Sequence, residues 1–128
     1  MTQTRVLLVE DNDLFRDSLR DMLKNAGLSV VGEARDGTRA VAMAGELKPD
    51  VVLMDLTLPR MDGYEAAPLI RRQVPEARIV GMSMHPREEV ADLVKRSGYS
   101  DYVAKDAPWE EMMAVINGPS SSAPPSRR

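Results

Sequence analysis

Five short apolar runs punctuate the chain: VLLV at 6–9, LSVV at 28–31, VVLM at 51–54, IVGM at 79–82 and YVA at 102–104. Each is short and rich in β-branched residues, so each reads as a strand. Between them apolar positions recur at helical spacing, as in Leu14, Leu19, Met22 and Leu23 before Gly27, or Val90, Leu93 and Val94 before Gly98. Glycine just past such a stripe is a stop signal. Strand and helix therefore alternate, and strands this apolar have no face to offer water. The pattern predicts an α/β fold, a parallel sheet covered by helices on both sides.

Two helices carry breakers. Pro68, in DGYEAAPLIRRQ, lacks an N–H and clashes inside a regular helix, which predicts a late start or a kink in the third helix. The last helix is expected from about Pro108 to Ile116, with Pro108 in its first turn and Trp109 anchoring its packing. The Pro- and Ser-rich segment that follows cannot offset the entropy of ordering, so residues 118–128 read as a linker or disordered tail beyond one domain at 4–117.

Composition narrows the chemistry. The chain has 128 residues, one domain's worth. Its net charge of −3, without a basic stripe, argues against direct nucleic-acid binding. It holds no cysteine and one histidine, His85, which excludes disulfides, thiolate metal sites and a histidine-based cluster. The N-terminus resembles neither a secretory signal nor a membrane span, and a cytoplasmic protein is expected.

In a doubly wound sheet, ligands bind at the carboxyl ends of the strands. Glu10 and Asp11 follow the first strand, Asp55 the third, Ser83 the fourth and Lys105 the fifth. Carboxylates gathered at one edge repel each other by about 1–4 kcal/mol per close pair, so a compensating positive charge is needed. An all-oxygen set with room for water and phosphate suits Mg²⁺. Asp11 and Asp55 would be direct ligands, Glu10 would stand behind them or bind through water, and Lys105 would be a further positive charge. Such a site suits phosphoryl transfer to Asp55, with the Ser83 hydroxyl and backbone N–H groups donating to the phosphoryl oxygens. Taken singly the residues have plainer readings: Asp11 or Asp13 could cap the first helix, and Lys105 could be a solvated surface lysine.

LLVEDND, DVVLMDLTLPRMDGYE, IVGMSM and DYVAKDA, in that order, resemble the receiver domain of bacterial two-component response regulators, and KDA with MSMH resembles the NarL/FixJ-type subfamily. The resemblance implies a flavodoxin-like, CheY-like doubly wound fold, with five parallel strands in the order 2-1-3-4-5 and five flanking helices. It implies Asp55 as phosphoacceptor, Glu10 and Asp11 as the acidic pair, and the Thr57 backbone carbonyl as a further Mg²⁺ ligand. Ser83 matches the hydroxyl position, Lys105 the lysine, and Gly63 the turn glycine before the third helix. Tyr102 would be a rotating switch that turns inward on phosphorylation and remodels the face of the fourth helix, fifth strand and fifth helix. Thr57 and His85 would flank the phosphoryl group and tune its hydrolysis, although His85 could equally be a simple surface residue.

The implied protein is a signalling phosphoacceptor rather than an enzyme. A sensor histidine kinase would phosphorylate it, and a homodimer could form on phosphorylation. No membrane contact is expected. The output would be a helix-turn-helix transcription-regulating domain absent from this chain; the alternative is a stand-alone receiver acting through protein contacts. A phosphatase of related topology would need an acid two residues after the nucleophile, where this chain has Thr57. A pseudo-receiver is disfavoured because the site residues are all present.

Overall fold

The computed structural model describes residues 3–118. Strands β1 (Arg5–Val9), β2 (Ser29–Ala34), β3 (Val51–Asp55), β4 (Arg78–Ser83) and β5 (Asp101–Ala104) alternate with helices α1 (Asp13–Asn25), α2 (Gly37–Leu47), α3 (Gly63–Gln73), α4 (Arg87–Arg96) and α5 (Trp109–Asn117). All neighbouring strands pair in parallel, in the order β2-β1-β3-β4-β5. The doubly wound, CheY-like architecture is as expected. Among the described residues no helix is long and apolar enough to cross a membrane.

Side chains alternate across each strand and so divide the core in two. Val6 and Leu8, Val51 and Leu53, Val80 and Met82, and Val103 pack toward Leu19 and Leu23 of α1 and Met112 and Ile116 of α5. Leu7 and Val9, Val52 and Met54, Ile79 and Tyr102 pack on the other side, toward small residues of α2 and α3 (Ala40, Ala44, Ala66 and Ala67) and Val90 and Val94 of α4. Leu7, Leu8 and Leu53 are wholly buried. Each such side chain contributes about 1.5–3 kcal/mol of transfer free energy.

Local structure departs from expectation in several places. Asn12, rather than Asp11 or Asp13, caps α1, accepting from the Phe15 N–H at 2.9 Å. Helix α3 runs unbroken through Pro68 without a late start. A capping box fixes its beginning: Asp62 accepts from the Glu65 N–H at 3.0 Å, and Glu65 accepts from the Asp62 N–H at 3.3 Å. The capping box secures the first turn at Gly63, so the helix starts ahead of Pro68 and carries the ladder bond that proline cannot make as a local cost.

Pro108 sits at the N-cap of α5 rather than inside it. Trp109 is only half-buried, and Met112 and Ile116 are the buried anchors of that helix. Leu14 is 82% exposed, because five residues of helix carry it well away from the Leu19 stripe, and Met22 and Leu93 are exposed too. The expected linker lies outside the described residues apart from Gly118, which ends α5.

Candidate functional site

Alternation explains why distant residues meet. Glu10, Asp55 and Lys105 continue the strand positions that face α1 and α5, so the three side chains leave the sheet on one side. Ser83 shares the alternation of Ile79 and lies toward the opposite side. Hydrogen bonds from Glu10 N to Ala34 O (3.0 Å), Leu56 N to Met82 O (2.9 Å) and Lys105 N to Ser83 O (2.9 Å) carry the ladder past the strand ends, so the site stands on rigid backbone.

At its centre Lys105 Nζ lies 2.8 Å from Asp55 Oδ2 and 2.7 Å from Glu10 Oε1. The first contact is a hydrogen bond. The second is an ion pair, so one ammonium holds an oxygen of each acid. The remaining oxygens are held by backbone: Asp55 Oδ1 accepts from Thr57 N at 2.9 Å, and Glu10 Oε2 from Asn12 N at 3.0 Å. Glu10 is wholly buried and Asp55 is 5% exposed, whereas Asp11 is open to solvent.

Burial pushes the Glu10 carboxyl above its usual pKa, with the Asp55 charge adding to the rise and Lys105 and the Asn12 N–H opposing it. Burial works against the Lys105 ammonium, but its bonds to Asp55 and Glu10 outweigh that and raise its pKa. The lysine is held charged between two acids.

These residues line a cleft of about 470 Å³ with Asp11, Asn12, Thr57, Ser83, Met84 and His85. Ser83 Oγ accepts from the His85 N–H at 3.0 Å. His85 itself is exposed, its Nδ1 lying 3.4 Å from Glu89 Oε1. Tyr102 is already inside, 3% exposed, its hydroxyl donating to the Ser83 carbonyl at 3.2 Å and to the His85 carbonyl.

The donor set fits a hard dication. Glu10, Asp11 and Asp55 each offer an oxygen, the three lying within 4.8 Å of one another, and an all-oxygen set of this kind is what Mg²⁺ takes.

All of the strand-end residues expected from the sequence are thus gathered here, and others join them. Asn12 donates to Glu10 as well as capping α1. Arg16 donates to the Glu10 carbonyl at 2.8 Å, and Tyr99 donates to the Gly63 carbonyl at 2.8 Å, below the loop that follows Asp55. The one sequence signal for Arg16 is that it occupies the stripe of Leu19 and Leu23, where an apolar residue is expected. Nothing in local pattern marks Tyr99.

Known proteins agree with this geometry. Residues 6–117 match the family model of the response regulator receiver domain. The response regulator GacA of Pseudomonas viridiflava is 37% identical over 113 residues, which cover 88% of this chain and 53% of that protein. This chain therefore spans about half the length of GacA. A solved two-component response regulator of the LuxR family from Aurantimonas superposes with a TM-score of 0.82 at 35% identity, covering 88% of this chain and 81% of the other. The receiver domain of a sensor histidine kinase from Pseudomonas aeruginosa, solved with a magnesium ion coordinated in its active-site cleft, gives 0.81 at 29% identity, covering 91% and 96%. The acidic cluster of this chain resembles such a magnesium site. Fold, cleft and sequence match converge, and the chain belongs to the response regulator receiver domains of NarL/FixJ type, which are signalling phosphoacceptors rather than true enzymes.

Proposed function

We propose that Asp55 is the phosphoacceptor of a two-component pathway. Its carboxylate attacks the phosphorus of a phosphohistidine on a sensor histidine kinase. The P–N bond breaks as the P–O bond forms, the imidazole leaves with a proton, and an acyl phosphate remains on Asp55. The observation that carries this reading is the contact of the buried Asp55 carboxylate with Lys105 Nζ at 2.8 Å, inside a cleft that Glu10 and Asp11 also line.

Glu10, Asp11, Asp55 and the Thr57 carbonyl would hold Mg²⁺, which when bound supplies charge neutralisation for the phosphoryl oxygens. Lys105 stands ready to follow the charge that arrives on Asp55. The Ser83 hydroxyl still has its own proton to give to a phosphoryl oxygen, because its present bond uses only a lone pair. Drawing Ser83 inward pulls on the segment whose carbonyls, at Ser83 and His85, hold the Tyr102 hydroxyl. Tyr102 thereby links the cleft to α4, β5 and α5 as the switch, and Thr57 and His85, at its mouth, tune the lifetime of the phosphate.

The output is a helix-turn-helix transcription-regulating domain beyond this chain, a reading supported by relatives about twice its length, such as GacA. The test is intact-mass measurement after incubation with Mg²⁺ and a small acyl-phosphate donor. One stable phosphate is expected, lost in Asp55→Ala and in the absence of Mg²⁺. Phosphate retained in Asp55→Ala refutes the assignment.

A further inference from the structure

Helix α1 carries one guanidinium on its apolar stripe. Arg16 stands i+3 and i+7 before the buried Leu19 and Leu23, and its side chain is only 12% exposed. It reaches three acceptors at once: the Glu10 carbonyl at 2.8 Å, Glu33 Oε1 on β2 at 3.1 Å and Asp13 Oδ1 at 2.8 Å. We propose that Arg16 is a positioning residue for the cation site, fixing the peptide that joins Glu10 to Asp11 and so setting the aim of two of its three carboxylates. The proposal rests on the reading of Glu10, Asp11 and Asp55 as a Mg²⁺ site.

The backbone supplies the reason. The Glu10 N–H makes the last ladder bond, to Ala34 O, and the chain then leaves the sheet. Its next anchorage is Asn12, which caps α1 and donates its N–H to Glu10 Oε2. Between these points the exposed Asp11 must be presented to the cleft, and the Arg16 bond to the Glu10 carbonyl orients the peptide that does so. Glu33 holds the guanidinium from β2, so the plane of the fork is set by the sheet. Arg20 is the contrasting case: it pairs with Asp17 and Asp21 and reaches Glu33 at 3.5 Å, all side-chain contacts.

The two accounts of Arg16 differ in sign. As a mere positive charge near a dication it would weaken metal binding, and its removal would tighten it. As a positioning group its loss weakens binding, by about tenfold or more for an outer-shell partner. The experiment is a Mg²⁺ titration followed by backbone-amide NMR on wild type, Arg16→Met, Arg16→Lys and Arg20→Lys, together with amide hydrogen exchange without metal. Arg16→Lys keeps the charge and serves where Arg16→Met does not fold.

Both Arg16 variants are expected to raise the Mg²⁺ Kd about tenfold, while Arg20→Lys leaves it unchanged. In both Arg16 variants the Asn12 amide should exchange faster, while that of Leu53 does not. Unchanged or tighter Mg²⁺ binding in either Arg16 variant overturns the proposal. Wild-type protein that fails to bind Mg²⁺ refutes the cation-site reading itself. In that case metal-free exchange still decides about Arg16: an unchanged Asn12 rate shows that it does not hold the loop.

Discussion

Gly63→Ala tests how tightly the start of α3 is pressed against the backbone of the phosphoacceptor strand. A Cβ at Gly63 would lie 2.6 Å from the Asp55 carbonyl oxygen, 2.6 Å from the Tyr99 hydroxyl and 2.8 Å from Leu56 Cα. Two of these neighbours are backbone, held by the bonds from Gly63 N to Leu56 O and Leu56 N to Met82 O, both 2.9 Å. The third is a tyrosine tip whose ring is buried in the core, so none yields cheaply. Overpacking of this kind costs about 1–3 kcal/mol, and the unyielding neighbours put it near the upper end.

The opposing term is real. Gly63 is not in the left-handed region, and alanine is the better helix former by about 1 kcal/mol. The difference predicts net destabilisation of about 2 kcal/mol, or a Tm lower by about 8 °C for a domain of this size. Thermal and urea unfolding followed by circular dichroism would measure it. Adding Tyr99→Phe removes one of the three clashing atoms, so the two changes together should cost about 0.5–1 kcal/mol less than their sum. Gly63→Ala protein as stable as wild type, or more so, refutes the reasoning, since helix propensity would then have outweighed a contact the structure places at 2.6 Å.

Two further outcomes follow from the site. Asn12→Ala removes the cap of α1 and should cost about 1 kcal/mol in urea unfolding. The Glu10 carboxyl is raised by burial in the folded chain, so the native state binds its proton more tightly than the unfolded state does. Its contribution to stability is therefore full below the unfolded carboxylate range and is lost as pH rises through the folded pKa. Urea midpoints of metal-free protein should show this fall between acid and neutral pH in wild type and not in Glu10→Gln; an identical pH profile for the two proteins would contradict it.

Much of the site was legible from strand ends alone. A residue that follows an apolar run in a parallel sheet must emerge at the carboxyl edge, so Glu10, Asp55, Ser83 and Lys105 could be placed together from spacing. Helix caps were less legible: in EDND four consecutive polar residues compete for the cap, and only the backbone turn selects Asn12. The start of α3 ahead of Pro68 was not legible, because the proline's local cost is plain in sequence while the capping box of Asp62 and Glu65 depends on side-chain geometry. Leu14 misled because an apolar residue at roughly helical spacing is read as core, although the angle it subtends on the finished helix decides its burial; Trp109 does pack on the core, half-buried beside Met112 and Ile116.

Sequence by itself determined the alternation of strand and helix, the parallel sheet, and the acids and lysine at one edge, because these follow from period, composition and chain order. Tertiary structure alone decided which carboxylate oxygens Lys105 holds and that Tyr102 lies inside. It alone brought Arg16 of α1 to the Glu10 carbonyl and to the Glu33 carboxylate on β2. Such contacts depend on distances of a few ångströms between residues far apart in the chain, and no local periodicity carries that information.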